Sequence, residues 1–330
     1  MATVPTLPSA WYTEPDQLER ERTRVLRAGW QYLGPADPVA EPGTFAAFDL
    51  AGLPIVVTRD GDGVLRGLVN VCRHRGAIVA EGCGTRKTLQ CRYHGWTYRL
   101  DGTLHRAPGM AEAPTDVRLP SIAVATVGPL LFASADPEPE PLADALAPFL
   151  DLVDGVAGMD PSTLVHRRRI EHRIGANWKA VVENFIECYH CPLVHAETLP
   201  GYGGDDYRIG QFGPLHTQHL DDQRFCFAYL YPTTQLSAYG LEHAFVARAI
   251  QPLDVRTTAV ALDYWFAPEA DPAAADRYID WFEKVIGEDE PLCESVQRGL
   301  DSGALERGLL NPDAESGLRE FQLLVERALA

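Results

Sequence analysis

Two short cysteine–histidine pairs constrain the fold of this chain more than any other feature. "CRH" at 72–74 sets a thiol and an imidazole two positions apart, and "CRYH" at 91–94 repeats the pairing after a gap of sixteen residues. Each pair ends a β-like run and is followed by turn residues, Arg75-Gly76 in one case and Gly95 in the other. Two thiolates and two imidazoles hold either a structural Zn2+ or a [2Fe–2S] cluster with histidines on one iron. Zinc sites of this ligand set usually keep both cysteines in one knuckle and both histidines on a helix. Here each knuckle carries one of each, which favours the cluster, with Cys72 and Cys91 on one iron and His74 and His94 on the other.

The surrounding sequence reads as a compact β region. "TFAAFDL", "PIVVTRD", "VLRGLVNV", "TLQCRYHGWTYRL" and "AVATVGPLLFAS" are short apolar or alternating runs separated by Gly, Asp and Pro, and Asp101-Gly102 marks a hairpin. Before them, Glu14 to Trp30 reads as an amphipathic helix. After them, the acidic, proline-rich "ASADPEPEPLA" at 133–143 marks a boundary. Beyond it a helix from Asn177 to His190 precedes the alternating strands "RFCFAYLYP", "HAFVARAIQPL" and "TTAVALDYWFAP". Helices follow at 273–286, 291–300 and 315–329. The expected division is an N-terminal helical segment at 1–40, a β-rich domain at 41–140 and an α+β domain at 141–330, its antiparallel sheet carrying helices on one side.

Charge narrows the partners. A formal net charge of -17 argues against nucleic acid and against anionic membrane surfaces. The opening "MATVPTLPSAWY" has no basic or apolar signal region and no apolar run reaches membrane-spanning length, so a cytoplasmic location is expected. Seven cysteines, an odd count, suit reduced thiols and metal ligands better than a disulfide framework. Against that acidic background Arg73, Arg75, Arg86, Lys87, Arg92 and Arg99 form a basic island opposed only by Glu81. It suits an acidic electron-transfer partner, or is simply a solvated loop surface.

"ENFIECYHCPLVH" at 183–195 holds the second constellation. On a continuous helix Glu183, Glu187 and His190 share one face, whereas His195 does not. Pro192 would break the helix at Cys191 and let His195 turn to face His190. Two imidazoles and one carboxylate with open positions describe the facial triad of non-haem Fe(II) oxygenases. The third ligand should be a distant carboxylate, with Asp280, Asp289, Asp301 and Asp313 as candidates. Asp289 falls in line with Trp281, Phe282, Val285, Ile286, Leu292, Cys293 and Val296, although Pro291 would interrupt that helix.

"CRHRGA…CRYHGWTYRLDG" resembles the Rieske domain of Rieske non-haem iron oxygenases. "NWK…ENFIECYHCPLVH" resembles the iron-binding segment of the same family's catalytic α subunits. The resemblance implies an α+β chain: a β-rich Rieske [2Fe-2S] domain joined to a helix-grip catalytic domain with an antiparallel sheet. It assigns Cys72, His74, Cys91 and His94 to the cluster. It assigns His190, His195 and Asp289 to a mononuclear iron, Asp289 through an E-D-x-x-L segment like "EDEPLCESVQ". Glu187 takes the bridging carboxylate position that links a neighbouring subunit's cluster histidine to the iron ligand. There most members carry Asp and a carnitine-like subgroup carries Glu. Asn184 and Asn177 match asparagines near the iron, Cys188 and Cys191 are packing residues, Cys83 has no ligand position, and Glu288 and Glu290 face solvent. The implied reaction uses O2 and NAD(P)H electrons delivered by a separate reductase, with or without a ferredoxin, to a homotrimer.

The substrate is expected to be a small molecule, oxidised by hydroxylation or demethylation. Phe225, Phe227, Tyr229 and Tyr231 alternate on one strand, and Tyr202, Tyr207, Phe212 and Trp265 are further aromatics. They form either core or a cage for an N-methylated cation. A mono- or dioxygenase acting on aromatic rings is the alternative substrate class. A non-catalytic Rieske electron carrier and a zinc-stabilised ligand-binding protein are the rival functions.

Overall fold

The computed structural model describes residues 4–112, 114–200, 207–221 and 224–330. The chain forms two compact units, residues 27–142 and residues 1–26 with 143–330.

In the first unit a seven-stranded antiparallel sheet runs in the order Gln31–Pro35, Leu130–Ser134, Ser121–Val127, Leu65–Val69, Leu53–Arg59, Thr44–Leu50 and Cys83–Thr85. A second, three-stranded sheet contains Thr88–Gln90, Thr97–Arg99 and Leu104–Arg106. Asp101-Gly102 turns this last hairpin as expected. Gly102 sits at φ +86, which an L side chain rarely adopts, and Asp101 Oδ1 accepts Thr103 N at 2.8 Å. The unit begins at Arg27 rather than 41, because Gln31–Pro35 pairs with Leu130–Ser134 and completes the sheet edge. Correspondingly the first helical region ends early, as helices Ala10–Thr13 and Pro15–Glu21 and a π-helical turn at Arg22–Leu26.

The second unit is built on another seven-stranded antiparallel sheet. Its order is Val165–Ile174, Thr257–Phe266, Ala244–Asp254, Thr234–Tyr239, Phe225–Leu230, Leu215–Leu220 and Arg208–Phe212. Pairing of Phe227 with Ser237, Ser237 with Val246 and Gln235 with Arg248 sets these side chains on one face. Two helices supply the other wall of the cavity over that face, Trp178–Phe185 and the thirty-residue Pro272–Asp301. The long helix is capped by Asp271, whose Oδ2 accepts Ala274 N at 2.8 Å, and it passes through Pro291 without a break. Pro291 and Gly287, the residue whose carbonyl loses its helical donor, are both exposed, so water can satisfy that carbonyl. Its buried stripe contains Gln297 in place of the expected Val296, which is half exposed.

The N-terminal helices are tied to this unit by a fully buried ion pair. Lys179 Nζ lies 2.8 and 2.9 Å from the two oxygens of Glu21, which also accept from Trp178 Nε1 and Gln17 Nε2. Both charged side chains are 0% exposed. Burial lowers the Lys179 pKa, and Glu21 opposes that shift. Glu21→Ala strands the ammonium, so a loss of about 3–5 kcal/mol in denaturant unfolding is expected. A loss below 1 kcal/mol, roughly the worth of an exposed pair, would contradict this placement.

Among the described residues, no helix is long and apolar enough to cross a membrane.

Candidate active site

The two cysteine–histidine loops are built alike. Cys72 N donates to Ala77 O and Gly76 N to Cys72 O, at 2.8 and 2.9 Å. Cys91 N donates to Trp96 O and Gly95 N to Cys91 O, at 2.8 and 3.0 Å. Each glycine closes its loop at positive φ, +78 and +71. Cys72 and Cys91 are buried in the core with Trp96 and Tyr98, while His74 and His94 are exposed. The imidazoles stand 4.6 Å apart by ring centroid, and His74 stacks on Trp96 at 5.0 Å. Tyr98 OH lies 3.3 Å from Cys72 Sγ and accepts from Arg73 N at 2.9 Å, so it pins the first loop. Two free thiols below two adjacent imidazoles fit a [2Fe–2S] donor set, soft sulfur inside and nitrogen at the surface.

In the second unit the helix begins at Asn177, whose Oδ1 accepts Lys179 N at 3.0 Å while its Nδ2 donates to Val255 O. Asn177 is therefore a buried cap, not a group at the histidine cluster. The helix stops at Phe185, earlier than His190. Glu187 causes this locally: its Oε2 accepts the N–H groups of Tyr189 and His190, competing with the helical ladder. Pro192 then opens a short helical turn, Cys191–Val194, that carries His195 into place. Glu183 leaves the site, accepting from Tyr12 OH at 2.6 Å and Gln322 Nε2 at 2.8 Å; burial pushes its pKa up to about 7.

His190, His195 and Asp289 meet. Asp289 Oδ1 is 3.1 Å from His195 Nε2 and 3.4 Å from His190 Nε2. Behind each imidazole stands a carboxylate: Glu187 Oε1 lies 2.5 Å from His190 Nδ1, and Glu288 Oε2 lies 2.7 Å from His195 Nδ1. Burial lowers the His190 pKa, but its hydrogen bonds to Asp289 and Glu187 outweigh it and push the value up to about 9. Likewise burial raises Asp289, and the two histidines more than compensate, holding it ionised. The donors are those of a two-histidine, one-carboxylate iron site, with each Nδ1 fixed so that both Nε2 atoms face one point. Asn184 Nδ2 reaches the same Asp289 oxygen at 3.5 Å.

Several expectations change. Glu288 and Glu290 are partly exposed, yet both are engaged: Glu288 also accepts from Thr198 Oγ1 at 2.6 Å, and Glu290 lies 2.6 Å from His172 Nδ1. Cys188 and Cys191 are not separate packing thiols but a disulfide, since one turn brings their Cα atoms to 4.9 Å. Asp301 pairs with Arg256, and Asp280 and Asp313 are exposed. Of the aromatic stripe, Phe225 and Phe227 line the cavity, whereas Tyr229 and Tyr231 pack on Phe321. Tyr207 lines the cavity; Phe212 is half exposed, and Trp265 points to the other face against His166. Tyr202 lies outside the described residues. Sequence reading missed Glu288, Thr198, Gln235 and Arg248, the last signalled only by a lone charge inside an apolar strand.

Residues 29–124 match the Rieske [2Fe-2S] domain, and residues 161–221 and 207–330 match the ring hydroxylating alpha subunit catalytic domain. The chain is 31% identical to the chloroplastic choline monooxygenase of Beta vulgaris, over 98% of this chain and 77% of that protein. It is 29% identical to the carnitine monooxygenase oxygenase subunit of Escherichia coli K12, over 96% of this chain and 90% of that one. The crystal structure of the quaternary ammonium Rieske monooxygenase CntA with L-carnitine superposes with a TM-score of 0.86 at 27% identity, covering 99% of this chain and 96% of that one. Family α subunits combine a [2Fe–2S] cluster with non-haem iron and take electrons from separate reductase or ferredoxin proteins. With two cysteine–histidine loops in one unit and a histidine–carboxylate cluster in the other, the chain belongs to the Rieske non-haem iron oxygenases, as a catalytic α subunit.

Proposed function

We propose that this oxygenase inserts oxygen into a small N-methylated compound, hydroxylating it or removing a methyl group. In this reading Cys72, Cys91, His74 and His94 hold the cluster, and His190, His195 and Asp289 hold the iron. The observation that carries it is the convergence of both Nε2 atoms and Asp289 Oδ1 at a cavity walled by Tyr207, Phe225, Phe227 and Tyr239. Iron bound there supplies O2 activation, using electrons relayed by the cluster. The chain's own part is positional: Glu187 and Glu288 take the Nδ1 hydrogen bonds and orient the imidazoles. Aromatic faces attract an N-methylated cation and keep bulk water from the oxidised carbon. The choline and carnitine activities of the relatives named above point to the same substrate class. A panel of N-methylated compounds and aromatic acids, followed by O2 uptake with a surrogate reductase, tests this. Stimulation by the N-methylated compounds supports it, and stimulation by aromatic acids alone overturns it.

The oxygenase works as a homotrimer in the cytoplasm, in which a neighbouring copy's exposed His74 or His94 approaches Glu187. Tyr189 and Leu193, 61% and 86% exposed beside the iron-site residues, suit such an interface. Glu187→Ala should then retain cluster absorption and iron while turnover falls roughly 10–100-fold or more. Full activity in this variant, or in a monomer after dilution, would contradict the bridging role.

A further inference from the structure

We infer that the substrate of this site carries a carboxylate, and that Arg248 with Gln235 binds it. This rests on the N-methylated reading above and extends it to the other end of the molecule. Arg248 sits mid-strand in Ala244–Asp254 and lines the cavity, although it is only 8% exposed. Its guanidinium is held between rings, 4.4 Å from the centroid of Phe185 and 5.8 Å from that of Phe282. Nη1 donates to Gln235 Oε1, which fixes both side chains on neighbouring strands.

Two donors remain. Among the described residues, neither Arg248 Nε nor Gln235 Nε2 has a hydrogen-bond partner. None of the ion pairs among those residues includes Arg248. The two carboxylates whose charge it feels are engaged elsewhere, Asp289 with His190 and His195, and Glu283 with Tyr264 OH and His172 Nε2. A buried guanidinium without an anion is costly, and a planar carboxylate matches its fork. The cavity is thus acidic on the helix side, through Asp289 and Glu187, and cationic on the sheet side, through Arg248. A zwitterion with its N-methylated end toward His190 and His195 satisfies both sides. An N-methylated alcohol would leave Arg248 and Gln235 unpaired.

The test compares 4-(trimethylammonio)butanoate with its methyl ester, which keeps the ammonium and loses the anion. Binding to the holoenzyme is measured anaerobically by calorimetry, with benzoate as a third ligand. The acid should bind at least about tenfold tighter than the ester. Arg248→Gln should weaken the acid about 10–100-fold and leave the ester unchanged, and Gln235→Leu should weaken it less. The wild-type comparison and Gln235→Leu still decide the matter if Arg248→Gln does not fold. Equal binding of acid and ester by the wild type would overturn the inference, as would binding of none of the three ligands. If only benzoate binds, and does so through Arg248, the N-methylated reading fails and the carboxylate site stands.

Discussion

Asp289→Ala gives a chain that keeps its cluster absorption, contains no iron beyond the cluster, and loses turnover by roughly 10^3-fold or more, several kcal/mol of transition-state stabilisation. The expectation follows from a single oxygen. Asp289 Oδ1 faces both Nε2 atoms, and among the described residues no other carboxylate oxygen does. Removing it leaves two imidazoles that retain their outer carboxylates, Glu187 and Glu288. Two neutral donors without the charged third hold a divalent ion weakly. The fold should tolerate the change, because Glu187 and Glu288 still take the Nδ1 hydrogen bonds of the two histidines. Iron content equal to that of the wild type would remove Asp289 from the ligand set.

Cys91→Ser should erase the visible spectrum of the cluster and leave iron at His190, His195 and Asp289. Cys91 is 2% exposed and packs in the core cluster of the first unit that also contains Cys72, Trp96 and Tyr98. Serine nearly preserves its volume, so packing survives, but an alcohol does not replace a thiolate on iron. Cluster binding is coupled to the order of the two loops, so the variant's first unit should also melt at lower temperature. Turnover falls to background because electrons no longer reach the second site. A colourless wild-type protein containing zinc would point instead to a structural metal, and unchanged absorption in Cys91→Ser would remove that residue from the cluster.

What the sequence revealed depended on how local each cause was. The cysteine–histidine loops were legible because ligand, turn glycine and hairpin lie within a few residues of one another. His190 and His195 were legible for the same reason, yet their geometry was not. The helix ends at Phe185, through Glu187 bonding to the backbone just ahead of it, and Pro192 starts a turn rather than ending a helix. Pro291 looked like a break because its lost hydrogen bond was visible, while the exposure that makes the loss tolerable was not. Strand alternation correctly put Phe225, Phe227 and Tyr229 on one face. Which of them reach the cavity depends on Phe321, nearly a hundred residues away, covering the remainder. Glu288 was hidden by its neighbour, since adjacent helical residues point in different directions unless an outside partner, here His195, bends one back.

A single turnover without any partner protein tests whether this chain is itself the oxygenase. The holoenzyme is reduced chemically, then mixed with isotopically labelled O2 and 4-(trimethylammonio)butanoate, while cluster absorption and product are followed together. Cluster reoxidation should be coupled either to a hydroxylated product that carries oxygen from O2 or to the demethylated product with an equal amount of formaldehyde. Reoxidation that yields neither from any N-methylated compound would contradict the oxygenase assignment.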